Sequence, residues 1–137
     1  MAASAATSLP PYLQPNERAA LAEFLDVLHK HHADQVQQVI LYGSKARGDF
    51  DEESDTDVLV VVTSDDWRAQ RPFHHLASSL STRYDVVLSL LVVGPQAYDR
   101  MRRPTPLYEF IVEEGIELWT KAPAPTSKIT LPSPTKN

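Results

Sequence analysis

Residues 36–62 read VQQVILYGSKARGDFDEESDTDVLVVV, and this stretch decides the fold. Two largely apolar runs, at residues 35–42 and 55–62, have the length and composition of β-strands. The second run ends in five consecutive apolar residues, which is typical of a strand buried on both faces. Between the two runs, Gly43 and Ser44 end the first strand, and residues 44–48 are predicted to form a short helical turn. The stretch therefore predicts two strands of a sheet, with a short helical turn between them.

The segments on either side alternate between helical and strand patterns. Asn16 is predicted to cap a first helix whose apolar residues recur at helical spacing. The other predicted elements are helices over residues 66–82, from residue 95 and over 106–114, a third strand over 83–93, and a short strand after Gly115. Helices that alternate with buried strands indicate an α/β fold.

Length and charge exclude several classes of protein. The chain has 137 residues, enough for one domain, and its 13 Lys+Arg against 18 Asp+Glu give a formal charge of −5. An acidic balance disfavours a protein whose main task is to bind a nucleic-acid backbone. The absence of cysteine is typical of a reducing compartment, so we expect a cytoplasmic protein. The sequence has no apolar run long enough for a membrane span or for the core of a secretory signal, so we expect neither.

Proline marks the ends of the predicted domain. Seven of the eleven prolines lie in two terminal segments that contain few large apolar residues. We therefore predict a flexible N-terminal tail over residues 1–15, a single folded domain over residues 16–121, and a proline-rich flexible C-terminal tail over residues 122–137.

The residues that suggest chemistry lie within the opening stretch. Asp55 and Asp57 are two positions apart on a predicted strand, so their carboxylates project from one face. Such a pair is suited to Mg²⁺, which prefers oxygen ligands and shares phosphate oxygens. Gly43 and Ser44 open a helical turn whose free backbone N–H groups suit a phosphate. The Ser44 hydroxyl also fits a simple helix cap, and the two roles are compatible.

Three further charged residues have two readings each. Lys45 and Arg47 place positive charge beside the predicted phosphate site, but both also fit a solvent-facing helix surface. Asp85 stands at the start of the predicted third strand, where a charge is costly unless it is paired or binds metal. A second metal ion usually needs another carboxylate, which makes Asp85 the candidate third ligand. The alternative is a salt-bridge partner at a sheet edge.

Gly43-Ser44, ten intervening residues and Asp55-Thr56-Asp57 resemble the signature of the DNA polymerase β-like nucleotidyltransferase superfamily. Residues 17–120 as a whole are similar to its minimal nucleotidyltransferase branch. The resemblance implies a palm-like mixed β-sheet flanked by helices, and transfer of a nucleoside monophosphate from a nucleoside triphosphate, with ATP as the expected donor. It implies that Gly43 and Ser44 hold the β- and γ-phosphates. It further implies that Asp55, Asp57 and Asp85 are the catalytic ligands of two Mg²⁺ ions.

The same resemblance suggests a partner. Members of the minimal branch are often encoded beside a HEPN-type toxin and act as its antitoxin by adenylylating a tyrosine of the toxin. We therefore expect a hetero-oligomer with such a toxin, with neither a membrane nor a nucleic-acid partner. Two alternatives stay open at this point: an antitoxin that neutralises by binding alone, and a nucleotidyltransferase that acts on a small molecule or an RNA end.

Overall fold

The computed structural model describes residues 9–47, 55–103 and 105–120. Its elements, in chain order, are α1 (Pro15–His31), β1 (Val36–Tyr42), α2 (Ser44–Arg47), β2 (Thr56–Val62), α3 (Trp67–Tyr84), β3 (Leu88–Val93), α4 (Pro95–Met101), α5 (Pro106–Glu114) and β4 (Ile116–Thr120). The predicted alternation of helices and strands in a small α/β domain is confirmed. None of the described helices is long and apolar enough to cross a bilayer.

The four described strands form one mixed sheet in the order β3-β2-β1-β4. β1 lies antiparallel to both β2 and β4, whereas β2 and β3 are parallel. A parallel pair needs a crossover connection, and α3 supplies it. The two strands predicted in the opening stretch are confirmed, and they occupy the centre of the sheet as β1 and β2.

Helices cover the sheet on both faces. Val58 and Val60 of β2 belong to a core on one face, together with residues of α1 and α3. Leu59 and Val61 belong to a second core on the other face, with residues of α4 and α5. All four side chains are buried, which confirms the prediction that this apolar strand has two covered faces.

The first helix begins earlier than the sequence predicts. Gln14, rather than Asn16, precedes the first helical residue, and the Gln14 backbone N–H donates to Glu17 Oε1 at 2.9 Å. Asn16 lies in the first turn, where its side-chain amide donates to the carbonyls of Tyr84 at 3.1 Å and Asp85 at 3.2 Å. Asn16 therefore caps the end of α3 rather than the start of α1.

The segment before α1 also packs against the domain. Leu13 is buried in the core that α1 and α3 share, and the Arg18 guanidinium donates to the Pro10 carbonyl at 2.6 Å. The predicted N-terminal tail over residues 1–15 is therefore too long, because residues 9–15 belong to the described fold. Residues 1–8 and the predicted C-terminal tail over residues 122–137 lie outside the described residues.

The end of α3 differs from the prediction in a way that affects the site. The helix continues to Tyr84 because Leu76, Leu80 and Tyr84 keep helical spacing on its inner side. Asp85 follows it in a left-handed conformation, with φ 58°, and ends the helix. The third strand therefore begins at Leu88, and the predicted strand over residues 83–93 is wrong in its first five positions.

An ion pair and a hydrogen bond join α1 to α3 and make the stability of the domain depend on pH. Glu23 accepts a hydrogen bond from the Tyr84 hydroxyl at 2.6 Å and pairs with the Arg83 guanidinium. The Tyr84 hydrogen bond, followed by those from Arg83, lowers the pKa of Glu23 below its ordinary value of 4.5. A lowered carboxyl pKa contributes stability above the ordinary pKa, and this contribution is lost as the pH falls through the lowered value.

We therefore expect Glu23→Gln to lower the melting temperature at pH 7, with a difference that shrinks as the pH falls below 4.5. Melting curves between pH 7 and pH 3 measure this effect. Asp26→Asn is the matched control, because Asp26 forms only an exposed pair with Lys30 on the same helix. A difference between wild type and Glu23→Gln that stays constant across this range would contradict the assignment.

Candidate active site

Gly43 and Asp57 meet where β1 ends and β2 begins. Tyr42 pairs with Asp57 across the antiparallel ladder, so the turn at Gly43 lies beside the Asp57 carboxylate. Gly43 has φ +79°, and a Cβ placed there would stand 2.5 Å from Asp57 Oδ2. Only glycine permits both this conformation and this close approach. The two halves of the sequence signature therefore form one site.

The Asp57 carboxylate is half-buried, and its surroundings disfavour its charge. Burial raises its pKa above the ordinary value, the nearby Asp55 charge raises it further, and hydrogen bonding with Ser89 lowers it. Burial also raises the pKa of Tyr42, with a further contribution from the Asp57 charge. Asp55 itself is exposed. Two carboxylates thus interact unfavourably at the edge of a partly buried site.

This donor set fits a divalent cation. Two neighbouring carboxylates beside a glycine that admits a close ligand are the oxygen donors that Mg²⁺ prefers. A bound dication would also offset the repulsion between Asp55 and Asp57. Within residues 9–47, 55–103 and 105–120, no group of three or more His, Cys, Asp or Glu side chains is arranged to hold a metal ion.

The structure does not place Asp85 in this group. Asp57 is in register with Ser89 on the parallel strand β3, and Asp85 lies four residues before Ser89, at the end of α3. The residues from Asp85 to Val87 lie outside β3, and Asp85 itself has a left-handed backbone conformation. The prediction that Asp85 stands at the start of the third strand is therefore wrong, because α3 continues through Tyr84 and ends at Asp85. Its role as a metal ligand stays a prediction.

Ser89 is the site residue that the sequence analysis missed. It is the one polar residue of β3 and lies half-buried opposite Asp57. The signal was present in the sequence as a serine that interrupts an apolar run of valines and leucines. Its significance depended on the strand register, which the pattern alone did not determine.

Lys45 takes a different position from the one predicted beside the phosphates. Its side chain is fully buried, and its ammonium group pairs with Glu17 Oε2 at 2.5 Å. The Tyr12 hydroxyl donates to the backbone carbonyls of Lys45 at 2.5 Å and Ala46 at 3.0 Å. Lys45 therefore anchors the turn from within the protein, and its predicted solvent-facing position is wrong. Its contact with a phosphate stays a prediction.

The short helix α2 follows directly from the glycine. The Ala46 backbone N–H donates to the Gly43 carbonyl at 3.0 Å, which closes the turn. Ser44 and Arg47 are the first and last residues of α2, and their side chains lie outside the part of the chain that the structure describes. Their predicted contacts with a nucleotide stay predictions.

Comparison with known proteins decides the family. Residues 21–118 match the family described as Nucleotidyltransferase domain. The chain belongs to this nucleotidyltransferase family. The match covers both halves of the site, the Gly43 turn and the Asp55–Asp57 pair, and confirms the resemblance drawn from those residues.

Two archaeal relatives, both from Methanocaldococcus jannaschii, extend the comparison. The nucleotidyltransferase domain is 31% identical over 105 residues to the candidate protein adenylyltransferase MJ0604, covering 76% of this chain and 99% of the relative. It is 42% identical over 60 residues to the candidate protein adenylyltransferase MJ0141, covering 43% of this chain and 61% of that relative.

Solved structures share the fold of this nucleotidyltransferase domain. One is a crystal structure of a toxin–antitoxin with AMP-PNP, in which a chain matches with a TM-score of 0.53 and 19% identity. The match covers 79% of this chain and 75% of the solved one. This similarity supports the same arrangement of sheet and helices in both proteins.

Proposed function

We propose that this nucleotidyltransferase transfers AMP from ATP to a hydroxyl group of a partner protein, in a reaction that depends on Mg²⁺. The observation that carries the proposal is the contact between Gly43 and the Asp57 carboxylate. It joins a turn suited to phosphate with a carboxylate pair suited to a cation. The two relatives named as candidate protein adenylyltransferases support a protein as the acceptor.

Each residue of the site has a defined task in this proposal. Gly43 and Ser44 hold the β- and γ-phosphates through the turn that opens α2, and Asp55 and Asp57 would hold Mg²⁺. The bound cations would supply positive charge against the phosphate oxygens. Without a side chain, Gly43 leaves the backbone open to the phosphates. It also lets the turn lie against Asp57, because a side chain at that position would meet the carboxylate. Glu17 and Lys45 hold the turn in place from within the protein.

The reaction is a displacement at the α-phosphorus of ATP. The acceptor hydroxyl oxygen forms a bond to this phosphorus, and the bond from the phosphorus to the bridging oxygen of the β-phosphate breaks. Diphosphate leaves with the electron pair, and the hydroxyl proton passes to solvent. The products are an AMP-protein and diphosphate.

We further propose that the acceptor is a HEPN-type toxin encoded beside this chain, with which it forms a hetero-oligomer as an antitoxin. The minimal-branch resemblance of residues 17–120 supports this assignment. A toxin–antitoxin is also among the proteins that share the fold. In this proposal the toxin supplies a tyrosine hydroxyl, and the antitoxin inactivates it by attaching AMP.

Neutralisation by binding alone is the second candidate function. A specific observation favours it: the β3 position opposite Asp57 is occupied by Ser89 and not by a carboxylate. In that case the fold would serve as a binding surface, and the toxin would be blocked without modification. The two candidates differ in whether AMP becomes attached to the toxin.

Label transfer distinguishes the two candidates. The full chain is incubated with ATP labelled at the α-phosphate, Mg²⁺ and the protein encoded by the adjacent gene, and the proteins are then separated. We expect label on the neighbouring protein and a mass increase that corresponds to AMP. ATP labelled at the γ-phosphate is the control, because its label must leave with diphosphate. Neutralisation of the partner without attached label would support binding alone and reject the transferase proposal.

A further inference from the structure

Ser89 occupies a position that the fold brings directly to Asp57. The two residues are paired in register between the parallel strands β2 and β3. Neighbouring strands lie about 4.8 Å apart, and residues in register project their side chains from the same face of the sheet. The Ser89 hydroxyl and the Asp57 carboxylate therefore point towards the same side, where Gly43 also lies.

Ser89 is half-buried in an otherwise apolar strand. The remaining five residues of β3 are leucine or valine, and the strand packs between two apolar cores. A hydroxyl in such surroundings is costly unless it is hydrogen-bonded. Asp57, in register with Ser89 on the neighbouring strand, provides a partner for it.

We propose that Ser89 is a positioning residue of this site, whose hydroxyl donates to Asp57 and fixes the orientation in which that carboxylate meets a divalent cation. This inference rests on the proposed function, because it assigns Ser89 a task at the same cation site. Ser89 thus replaces Asp85 as the contribution of the third strand. A neutral hydroxyl orients a ligand without adding a negative charge.

Because Ser89 is neutral, replacing it with alanine or with aspartate should change the affinity for a cation in different ways. Cation affinity depends on the number of charged ligands and on how rigidly they are held. Ser89→Ala removes the hydrogen bond and leaves Asp57 free to rotate, whereas Ser89→Asp adds a carboxylate at the same strand position. The two variants are therefore expected to change cation affinity in opposite directions.

Titration with Mn²⁺ in the absence of nucleotide, monitored by calorimetry, measures this affinity without relying on activity. We expect Ser89→Ala to bind Mn²⁺ about tenfold more weakly than wild type, and Ser89→Thr, which keeps the hydroxyl, to restore most of the loss. Ser89→Asp is expected to bind about tenfold more tightly. Ser78→Ala, on the exposed side of α3, is the matched control and should bind as wild type does.

Kinetics separate positioning from a general loss of structure. In the transfer assay, Ser89→Ala is expected to lower kcat about tenfold while the KM for ATP changes less than twofold. Melting curves of Ser89→Ala and Ser89→Thr show whether each variant is folded under the assay conditions. Ser89→Thr keeps the comparison valid where the alanine variant unfolds.

Three results would overturn the inference. The first is a Ser89→Ala protein that binds Mn²⁺ as wild type does, and the second is a wild-type protein that binds no Mn²⁺. The third is weaker Mn²⁺ binding by Asp85→Asn together with unchanged binding by Ser89→Ala, which would return the third-strand role to Asp85. Failure of the proposed function is separate, because it is seen as missing label on the partner while the Mn²⁺ titration still decides the role of Ser89.

Discussion

Replacing Asp57 with asparagine is expected to lower the rate of AMP transfer by about a thousandfold or more, without unfolding the protein. Asp57 stands against the Gly43 turn and interacts with the Asp55 charge, so it is the central carboxylate of the site. Charge stabilisation by a bound cation contributes several kcal/mol to such reactions, and each 1.36 kcal/mol corresponds to a tenfold change in rate. The label-transfer assay measures the loss directly.

Stability is expected to change little or to rise in this variant. Burial and the Asp55 charge raise the pKa of Asp57, so its ionised form is disfavoured in the folded protein. A raised carboxyl pKa contributes stability below the ordinary pKa, and this contribution is lost as the pH rises through the raised value. In cation-free buffer at pH 7, Asp57→Asn should therefore melt no lower than wild type.

The control for Asp57→Asn is the same change at Asp34, an exposed residue between α1 and β1. Asp34→Asn should transfer AMP at the wild-type rate, because it lies beyond the opposite end of β1 from Gly43. A double variant, Asp55→Asn with Asp57→Asn, tests the biology of the pair. If this double variant still neutralised the partner fully, the catalytic account of antitoxin action would be rejected.

The second large effect is expected at Lys45. Lys45→Met should destabilise the domain by about 3–5 kcal/mol, because it leaves the Glu17 carboxylate buried without its ammonium partner. Domains of this size have a free energy of unfolding of about 5–15 kcal/mol, so a large part of the stability would be lost. Denaturant unfolding, monitored by circular dichroism, gives the change in the free energy of unfolding.

Two further variants separate the buried pair from a general effect of charge. Lys30→Met breaks an exposed pair with Asp26 and should change the free energy of unfolding by less than about 1 kcal/mol. Glu17→Leu combined with Lys45→Met removes both buried charges and should regain at least half of the loss. A Lys45→Met protein that keeps its stability but binds ATP poorly would instead show that Lys45 acts at the phosphates.

The sequence predicted the frame of the site because that frame depends on local patterns. The run of five apolar residues identified β2, and the glycine and serine after β1 identified the turn. Both patterns use residues that are close in the chain. The antiparallel pairing of β1 with β2, which brings Gly43 beside Asp57, is known from the structure alone.

The predicted positions of Asp85 and Lys45 are wrong because both depend on contacts between distant segments. Asp85 ends a helix whose last carbonyls accept from Asn16, almost seventy positions earlier in the chain. The Lys45 side chain is buried because it pairs with Glu17. Glu17 reaches the turn only because α1 packs beside it. In both cases the local pattern favoured a strand or an exposed helix surface, and tertiary contacts determined a different position.

The contact between Tyr12 and the turn also affects how the protein should be produced. The Tyr12 hydroxyl is hydrogen-bonded to two backbone carbonyls of α2, and the neighbouring residue Leu13 fills part of the core. A shortened gene product that starts at residue 16 would lack both contacts and would leave the Gly43 turn without its outer support. Inactivity of such a truncated protein would then reflect the cloning boundary, and it would be mistaken for evidence against the chemistry.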